Sequence, residues 1–449
     1  MLKNHKAIHI IVATVISCGW TSVALAGGVP YKQSGESPIR TKQLVDGTYT
    51  QNFEAAALFQ QGVRLYNRRD FEGAIGSLRK ALEFDPMIAM AHYLLANSLA
   101  EQGELQAAIS AYQATIRLQP SMAEAYYNMG LAFQKLGRAG EAISAYQSAL
   151  VRNPRLAEAQ YNVAVLLESQ GKVDEALATY REATRINPSY SVAQYNLGLL
   201  LLRQEETEPA IAAFRQAVNS DPKFASARYQ LGLLLASQND LEGARNELGK
   251  AVGLDPTLER GDYNLGVVLA RQGKYRSAIK RFRQAVKLDS KNVDAYQQLG
   301  VALTQVGEYD QAITALKEAN RLSSDDALTH YNLAVALHRG RRLDEAIAEY
   351  KEAIVLNPNQ AEAFYNLGLA LQQSNQSDEA IRFLLEAKSL FSQQGNQAKT
   401  DEVDKILQRL ATPAQPVQPT QSTTPATQTQ PVAPTEPTTP PAQNPTGGT

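Results

Sequence analysis

Two columns of polar side chains recur along the chain with the types and spacing needed to bind another polypeptide. A tyrosine and a neighbouring amide residue appear together about once every 34 residues. Each amide offers one acceptor and two donors, which suit the C=O and N–H groups of an extended backbone. The tyrosines would add apolar contact area with little loss of side-chain entropy. The tyrosines are Tyr93, Tyr127, Tyr161, Tyr195, Tyr229, Tyr263, Tyr331 and Tyr365, and the amides are Asn128, Asn162, Asn196, Gln230, Asn264, Gln298, Asn332 and Asn366.

Residue patterns for catalysis or metal binding do not occur in the sequence. His330 and His338 lie eight residues apart, a spacing that differs from HExxH, and Cys18 is the only cysteine. No GxxxxGK[ST] or GxSxG motif occurs, and no GxGxxG stands in a strand context. We therefore expect no enzyme activity, no metal and no cofactor.

The overall charge points to protein partners. Lysine and arginine number 44 against 45 aspartate and glutamate residues, for a formal net charge of −1. A balance of this kind gives no indication of nucleic-acid or membrane-surface binding. We expect protein or peptide partners, and the sequence leaves the oligomeric state open.

Prolines set the period of the elements that position these side chains. They recur every 34 residues at Pro86, Pro120, Pro154, Pro188, Pro222 and Pro256, and Pro358 follows three periods later. Helix-forming segments with one apolar face lie between them, and each proline ends the second segment because it cannot continue helical hydrogen bonding. The pattern predicts ten repeats over residues 55–394. We number the positions of each repeat as slots 1–34, with slot 1 of the first repeat at Ala55.

Small residues occupy fixed slots of every repeat. Slot 8 is Gly or Ala and slot 20 is always Ala, which would let paired helices approach closely, because a larger side chain costs about 1–3 kcal/mol in overpacking. Glycine often fills the turn slot, where a positive φ is favourable for it, but Glu205 and Arg341 replace it in two repeats. Ser290 and Ser324 replace the closing proline, so we expect looser or differently angled junctions around repeats seven to nine.

These features resemble the tetratricopeptide repeat family. The segments AEAYYNMGLAFQKLG at 123–137 and AEAFYNLGLALQQSN at 361–375 carry the resemblance. It implies an all-α solenoid in which helix pairs stack into a right-handed superhelix. The first helices would line a concave groove that binds extended or helical peptides.

The amide column admits two interpretations. It is similar to the asparagine ladder of the tetratricopeptide superhelix of O-linked N-acetylglucosamine transferase, which implies that the amides hold a peptide backbone. However, Tyr-Asn in these slots is close to the family's average sequence. The same residues are therefore also consistent with a structural role, stabilising the first helix or its packing.

The N-terminus has the pattern of a secretory signal peptide over residues 1–26. Lys3 and Lys6 precede an apolar run, and Ala24 and Ala26 supply the small residues that signal peptidase requires. One alternative is cleavage before Cys18, because residues 15–18 resemble a lipobox, and a lipid there would be the only membrane attachment. The other alternative is an uncleaved anchor. We expect an extracytoplasmic protein, periplasmic or secreted, or lipid-anchored to the envelope.

The segments outside the repeats have distinct compositions. Residues 27–54 are predicted to be a flexible leader, and residues 395–410 a capping helix that covers the last apolar surface. From 411 to 449 the chain is rich in Pro, Thr and Gln, which predicts a disordered tail.

The sequence favours a scaffold for envelope assemblies that binds extended segments in its groove. A second hypothesis makes the chain a non-catalytic regulatory or substrate-presenting subunit of an enzyme, such as a glycan or polysaccharide transferase. A third has the repeats bridging envelope layers through the tail. The identity of the partner and the pathway lie beyond what the sequence shows.

Overall fold

The computed structural model describes residues 50–258 and 260–411, and within these ranges it contains helices and no strands. The predicted signal peptide, Cys18, the leader up to residue 49 and the tail from residue 412 lie outside the described residues. The helices are α1 Phe53–Asn67, α2 Phe71–Phe84, α3 Ala89–Glu101, α4 Leu105–Leu118, α5 Ala123–Lys135, α6 Ala139–Arg152, α7 Ala157–Ser169, α8 Val173–Ile186, α9 Ser191–Arg203, α10 Thr207–Ser220, α11 Ala225–Ser237, α12 Leu241–Leu254, α13 Gly261–Arg271, α14 Tyr275–Leu288, α15 Val293–Val306, α16 Tyr309–Leu322, α17 Ala327–Arg339, α18 Leu343–Leu356, α19 Ala361–Gln373, α20 Ser377–Gln393 and α21 Gln397–Ala411.

Helices α1 to α20 form ten successive pairs, which we number pair 1 (α1 and α2) to pair 10 (α19 and α20). The two helices of a pair pack on each other most extensively. The second helix of each pair also packs on the first helix of the next pair. First helices of successive pairs also contact one another, as α1 does α3 and α15 does α17, whereas no two second helices in the described ranges touch as extensively. The first helices therefore form the inner, more tightly curved side of a helical solenoid.

The turn inside each pair uses one residue in the left-handed backbone conformation. Its φ lies between 59° and 85° in all ten pairs. Glu205 (φ 62°) and Arg341 (φ 61°) adopt this conformation just as the glycines do. The turn geometry is thus set by the packing of the two helices, and the side chain in the slot does not change it.

The junctions between pairs keep their shape where serine replaces proline. In pair 7, α14 ends at Leu288 and the Asp289 N–H donates to the Ala285 carbonyl at 2.9 Å; in pair 6 the Asp255 N–H donates to the Ala251 carbonyl at the same distance. Helix α14 also packs on α15 more extensively than any other second helix packs on the next first helix. The junction that contains Ser290 is therefore not looser than the others, because the final turn of the helix already forms without proline.

The core runs along the seam between the paired helices. All ten slot-20 alanines are completely buried. Slot-8 glycines lie against large side chains of the second helix, and a Cβ on Gly266 would lie 2.6 Å from Phe282 Cε1. Small residues at these two slots are therefore what allows the close approach, as the sequence indicates.

Pair 7 departs from the pattern at its start. Helix α13 begins at Gly261 and has 11 residues, whereas α5, α7, α9 and α11 each have 13. The residue before it, Arg260, has φ 59°, in the left-handed region. The sequence reads Glu-Arg-Gly at 259–261 where pair 3 has Ala-Glu-Ala at 123–125. Because glycine is a poor helix former, α13 begins two residues later in its repeat than these helices do.

Helix α21 closes the far end of the solenoid. Its Val403 and Ile406 are buried together with Phe391 and Leu384 of α20. Glu402 accepts a hydrogen bond of 2.7 Å from the Tyr365 hydroxyl. This helix covers apolar surface that the last pair would otherwise expose.

Candidate peptide-binding groove

The amide column and an aliphatic column border an open groove on the inner side of the solenoid. From α5 to α19 every amide at slot 6 and every aliphatic residue at slot 9 is half-buried, while slot 8 between them is buried. In α9, for example, Asn196 and Leu199 are half-buried and Gly198 is buried. One face of each first helix from α5 to α19 is therefore accessible to a partner.

Part of the tyrosine column is buried in the core. Tyr93 and Tyr263 are 3% and 1% exposed. In many pairs the tyrosine ring packs on an aromatic residue of the second helix, as Tyr127 does on Tyr146 at 5.6 Å between ring centroids. Burial raises the pKa of Tyr93 and of Tyr331 to about 12, so both hydroxyls stay protonated at neutral pH. Three of the eight rings (Tyr93, Tyr127 and Tyr263) thus belong to the core, and the other five are half-buried at its edge.

A hydrogen bond joins the two columns from one pair to the next. In five places an asparagine Nδ2 donates to the tyrosine hydroxyl 35 residues earlier, an arrangement that we call the ladder. The bonds run from Asn128 to Tyr93 (3.0 Å), Asn162 to Tyr127 (3.4 Å), Asn196 to Tyr161 (2.9 Å), Asn264 to Tyr229 (2.7 Å) and Asn366 to Tyr331 (2.9 Å). Gln230 acts in the same way on Tyr195, whose pKa burial raises and this hydrogen bond lowers. Asn128 Nδ2 also donates to Asn97 Oδ1 at 3.0 Å, whereas the other amides of the ladder each use one donor inside the solenoid and keep their second donor and their carbonyl oxygen.

The ladder is interrupted between pairs 7 and 9. The Tyr263 hydroxyl is buried and has no well-aligned hydrogen bond from an amide; its polar neighbour among the described residues is Arg260. Gln297 stands where the next tyrosine would be, and it donates instead to Thr329 and Asp326. The amides of Gln298 and Asn332 have no hydrogen-bond partner in the described part of the chain, and for Asn332 the reason is that Gln297 replaces the tyrosine. We call Tyr263, Gln298 and Asn332 the ladder gap.

Basic residues stand near the C-terminal ends of alternate first helices. Arg203 pairs with Glu168, and Arg271 donates to the Ala236 carbonyl at 3.0 Å. Lys135 and Arg339 are exposed, and neither forms an ion pair with any described residue. Two of the four cations are therefore available to a charged partner.

The histidines are used within the fold. His330 Nδ1 lies 2.6 Å from Glu349 Oε2, and its Nε2 lies 3.2 Å from the Ser324 carbonyl oxygen. Burial lowers the pKa of His338, whose Nδ1 lies 3.5 Å from the Tyr350 hydroxyl. Over residues 50–258 and 260–411, no three metal-type side chains come together. No helix in those ranges combines the length and apolarity needed to cross a membrane.

The sequence located both columns but did not show how they interact. An amide reaches the tyrosine of the preceding pair only at a particular rotation between the two pairs. No local sequence pattern indicates that rotation. Two signals for the ladder gap were present in the sequence: Gln297 in the tyrosine column, and Glu-Arg-Gly in place of Ala-Glu-Ala at 259–261.

Comparison with known protein families gives several matches along the solenoid. Models of the tetratricopeptide repeat match residues 121–189 and 349–382, and a TPR repeat model matches residues 96–137. The model of the C-terminal domain of cilia and flagella-associated protein 70 matches residues 156–364. No curated protein matches the sequence significantly.

Similar crystal structures include YrrB, described as a TPR protein with an unusual peptide-binding site. It is 25% identical over 43% of this chain and 98% of that chain, with a TM-score of 0.38. Yeast Tom70 is 15% identical over 79% of this chain and 96% of that chain (TM-score 0.35). Pseudomonas aeruginosa PilF is 22% identical over 48% and 97% (TM-score 0.40).

The repeat matches and the uninterrupted series of helix pairs agree. Proteins with this architecture generally act as scaffolds for protein or peptide partners and are generally not catalytic. The chain belongs to the tetratricopeptide-repeat proteins.

Proposed function

We propose that this protein is an exported scaffold that binds extended polypeptide segments in its groove and holds them for the assembly of envelope complexes. The accessible amide and aliphatic columns support the groove. The signal-like N-terminus, with Lys3, Lys6 and the small residues Ala24 and Ala26, supports export.

The ladder gap is the observation that carries the proposal. Half-buried amides that have no internal partner are hydrated in the free protein, and a peptide backbone can replace that water with direct hydrogen bonds. Gln298 and Asn332 lie on successive first helices, with Val301 and Val335 beside them at slot 9. An extended strand crossing α15 and α17 would therefore pair its backbone with two amides and pack its side chains on two valines.

Two double variants test this assignment against each other. Gln298→Ala with Asn332→Ala removes amides that have no internal bond, whereas Asn162→Ala with Asn196→Ala removes amides that hold the ladder. We expect the first variant to lose about tenfold or more in affinity, which corresponds to one to two hydrogen bonds, while its unfolding midpoint stays unchanged.

The ligand for these titrations is a partner that the wild-type chain captures from an envelope extract. Mass spectrometry identifies that partner. The Asn162/Asn196 variant serves as the control, with a lowered unfolding midpoint and a smaller change in affinity. Equal affinity of the Gln298/Asn332 variant and the wild type would remove the amides from the binding mechanism.

The mature mass and tryptophan content test export. Cleavage after Ala26 removes Trp20, the only tryptophan, whereas lipidation at Cys18 retains it and adds acyl mass. We expect a tryptophan-free protein that starts at Gly27. Recovery of the chain with residues 1–26 intact would contradict the proposal of an exported protein.

A further inference from the structure

A cavity lies beside the late start of α13, at the edge of the groove. Its volume is about 500 Å³, and it lies between the N-terminal ends of α13 and α15. We call this cavity the notch; its walls include Leu258, Arg260, Tyr263, Leu288, Asp289 and Asp294. In pair 4 the corresponding space is filled by a helical turn whose Ala157 and Ala159 are buried.

The notch contains a buried hydroxyl that no amide bonds. Tyr263 is 1% exposed and lines the cavity, no well-aligned hydrogen bond reaches its hydroxyl within the described residues, and Arg260 is the neighbouring side chain whose interaction lowers its pKa. Burial and then the nearby Asp294 carboxylate raise the pKa of Tyr263, so the hydroxyl is neutral. Buried hydroxyls in native proteins are nearly always paired, so a ligand atom that bonds this one would complete the site.

The charges around the notch favour a cation. Asp262, Asp289 and Asp294 line it, and Arg260 is the single basic residue in its walls. Arg281 neutralises Asp262 through a 3.0 Å ion pair. Two carboxylates then face one guanidinium, and the walls carry a net negative charge.

The chain's own Arg260 shows which group the notch accepts. Its guanidinium lies 2.9 Å from Asp294 Oδ2 and 5.2 Å from the centroid of the Tyr263 ring. A planar cation that pairs with a carboxylate and stacks on an aromatic face is the geometry that arginine makes better than lysine. The Arg260 side chain is 35% exposed, and Arg260 itself has a left-handed backbone that is unfavourable for a residue with a side chain, so this side chain can be displaced from the cavity.

We propose that the notch is a side-chain pocket for an arginine of the polypeptide bound in the groove. Its guanidinium would pair with Asp294 and Asp289 and donate to the Tyr263 hydroxyl, while its aliphatic stem packs on Leu258 and Leu288. The proposal rests on the groove function above, and it adds a preference for a basic side chain next to the segment held by the ladder gap. Arg260 occupies the pocket in the free protein and is displaced on binding.

Defined peptides test the pocket in the full chain. Acetyl-Gly-Gly-Arg-Gly-Gly-amide is titrated while the methyl resonances of Leu258, Leu288 and Val293 are followed by NMR. The same peptide with citrulline, which has nearly the same shape but no charge, and with glutamate are the controls. We expect saturable shifts with the arginine peptide. The affinity for the citrulline and glutamate peptides should be at least about fivefold lower, in keeping with the loss of an ion pair. Equal shifts with arginine and citrulline would overturn the proposal.

Three variants separate recognition from folding. Arg260→Ala removes the internal occupant and should strengthen binding of the arginine peptide, whereas Asp294→Asn should weaken it. Rebuilding the helical turn with Glu259→Ala, Arg260→Glu and Gly261→Ala should fill the notch and abolish the shifts without lowering the unfolding midpoint. Undiminished binding to the rebuilt variant would overturn the proposal.

The outcomes also distinguish the pocket from the groove. Loss of capture by the Gln298/Asn332 variant, with no arginine-dependent shifts, would overturn the pocket alone. Arginine-dependent shifts, with capture unchanged in that variant, would overturn the groove assignment alone.

Discussion

At the residue scale, the amides of slot 6 have identical positions but different hydrogen bonding. Asn196 donates to Tyr161, whereas Asn332 has no partner among the described residues because Gln297 replaces the tyrosine it would meet. The position of each amide was predictable from the 34-residue period. Its bonding was not, because that depends on a residue in the preceding pair and on the rotation between the two pairs.

Substituting these two asparagines separates the ladder bond from other effects. Asn196→Ala removes a 2.9 Å hydrogen bond and should lower the free energy of unfolding by about 1 kcal/mol relative to Asn332→Ala. Both substitutions gain the same helix propensity, so the difference between them isolates the bond. Urea unfolding followed by circular dichroism measures it, and equal midpoints for the two variants would show that the ladder does not stabilise the solenoid.

At the element scale, the helix pairs were predictable because each local signal agrees with the packing. Slot-8 glycine or alanine, slot-20 alanine and the left-handed turn slot recur in each pair, and the helices begin and end where the period places them. The start of α13 is the exception. A regular period suggested a full first helix there, but glycine at 261 does not favour the turn, and the alanines that would pack in it are missing.

Slot 8 tolerates alanine only opposite certain side chains. Ala96, Ala164 and Ala334 lie in pairs whose slot-24 residue is tyrosine, and no alanine at slot 8 faces phenylalanine or leucine. Gly266→Ala would place a Cβ 2.6 Å from the fully buried Phe282 and should cost about 1–3 kcal/mol.

Gly130→Ala is the matched control, because Gly130 faces Tyr146 and three sister pairs already combine alanine with tyrosine. We expect its net effect to be within about 0.5 kcal/mol, since better helix propensity offsets a small ring movement. Chemical unfolding of both variants provides the comparison. A loss as large for Gly130→Ala as for Gly266→Ala would contradict this account of slot 8.

The turn slot offers a stabilising substitution. Glu205 holds φ at 62°, a conformation that costs a residue with a side chain roughly 1–2 kcal/mol. Glu205→Gly should therefore raise the melting temperature, although greater freedom of glycine in the unfolded chain reduces the gain. Gly137→Ala, at φ 73°, should lower it. Calorimetry of the two variants tests the sign, and a lower melting temperature for Glu205→Gly would refute the expectation.

At the scale of the whole molecule, stability depends on each pair covering the apolar face of its neighbour. Helix α21 does this for pair 10, where it buries Val403 and Ile406 against Phe391 and Leu384. The sequence predicted the helix at this place because its polar and apolar residues suit a terminal cap.

Removing α21 should therefore destabilise the C-terminal pairs. Truncation after Gln394 exposes the faces of Phe391 and Leu384, and losing the burial of each large apolar side chain costs about 1.5–3 kcal/mol. We expect a lower unfolding midpoint and new binding of a hydrophobic dye. Truncation after Ala411 is the control, and it should leave the midpoint unchanged. Identical midpoints for the two truncations would show that α21 is dispensable for the fold.

The break in the ladder also bears on alignment. A surface that repeats every 34 residues offers a bound strand many equivalent offsets, each displaced by one helix pair. Between pairs 7 and 9 this translational symmetry is lost, because the amides there lack internal bonds and α13 begins two residues late. A strand that settles at the defect is held at one offset, so whatever it is attached to is kept at a defined distance from each end of the solenoid.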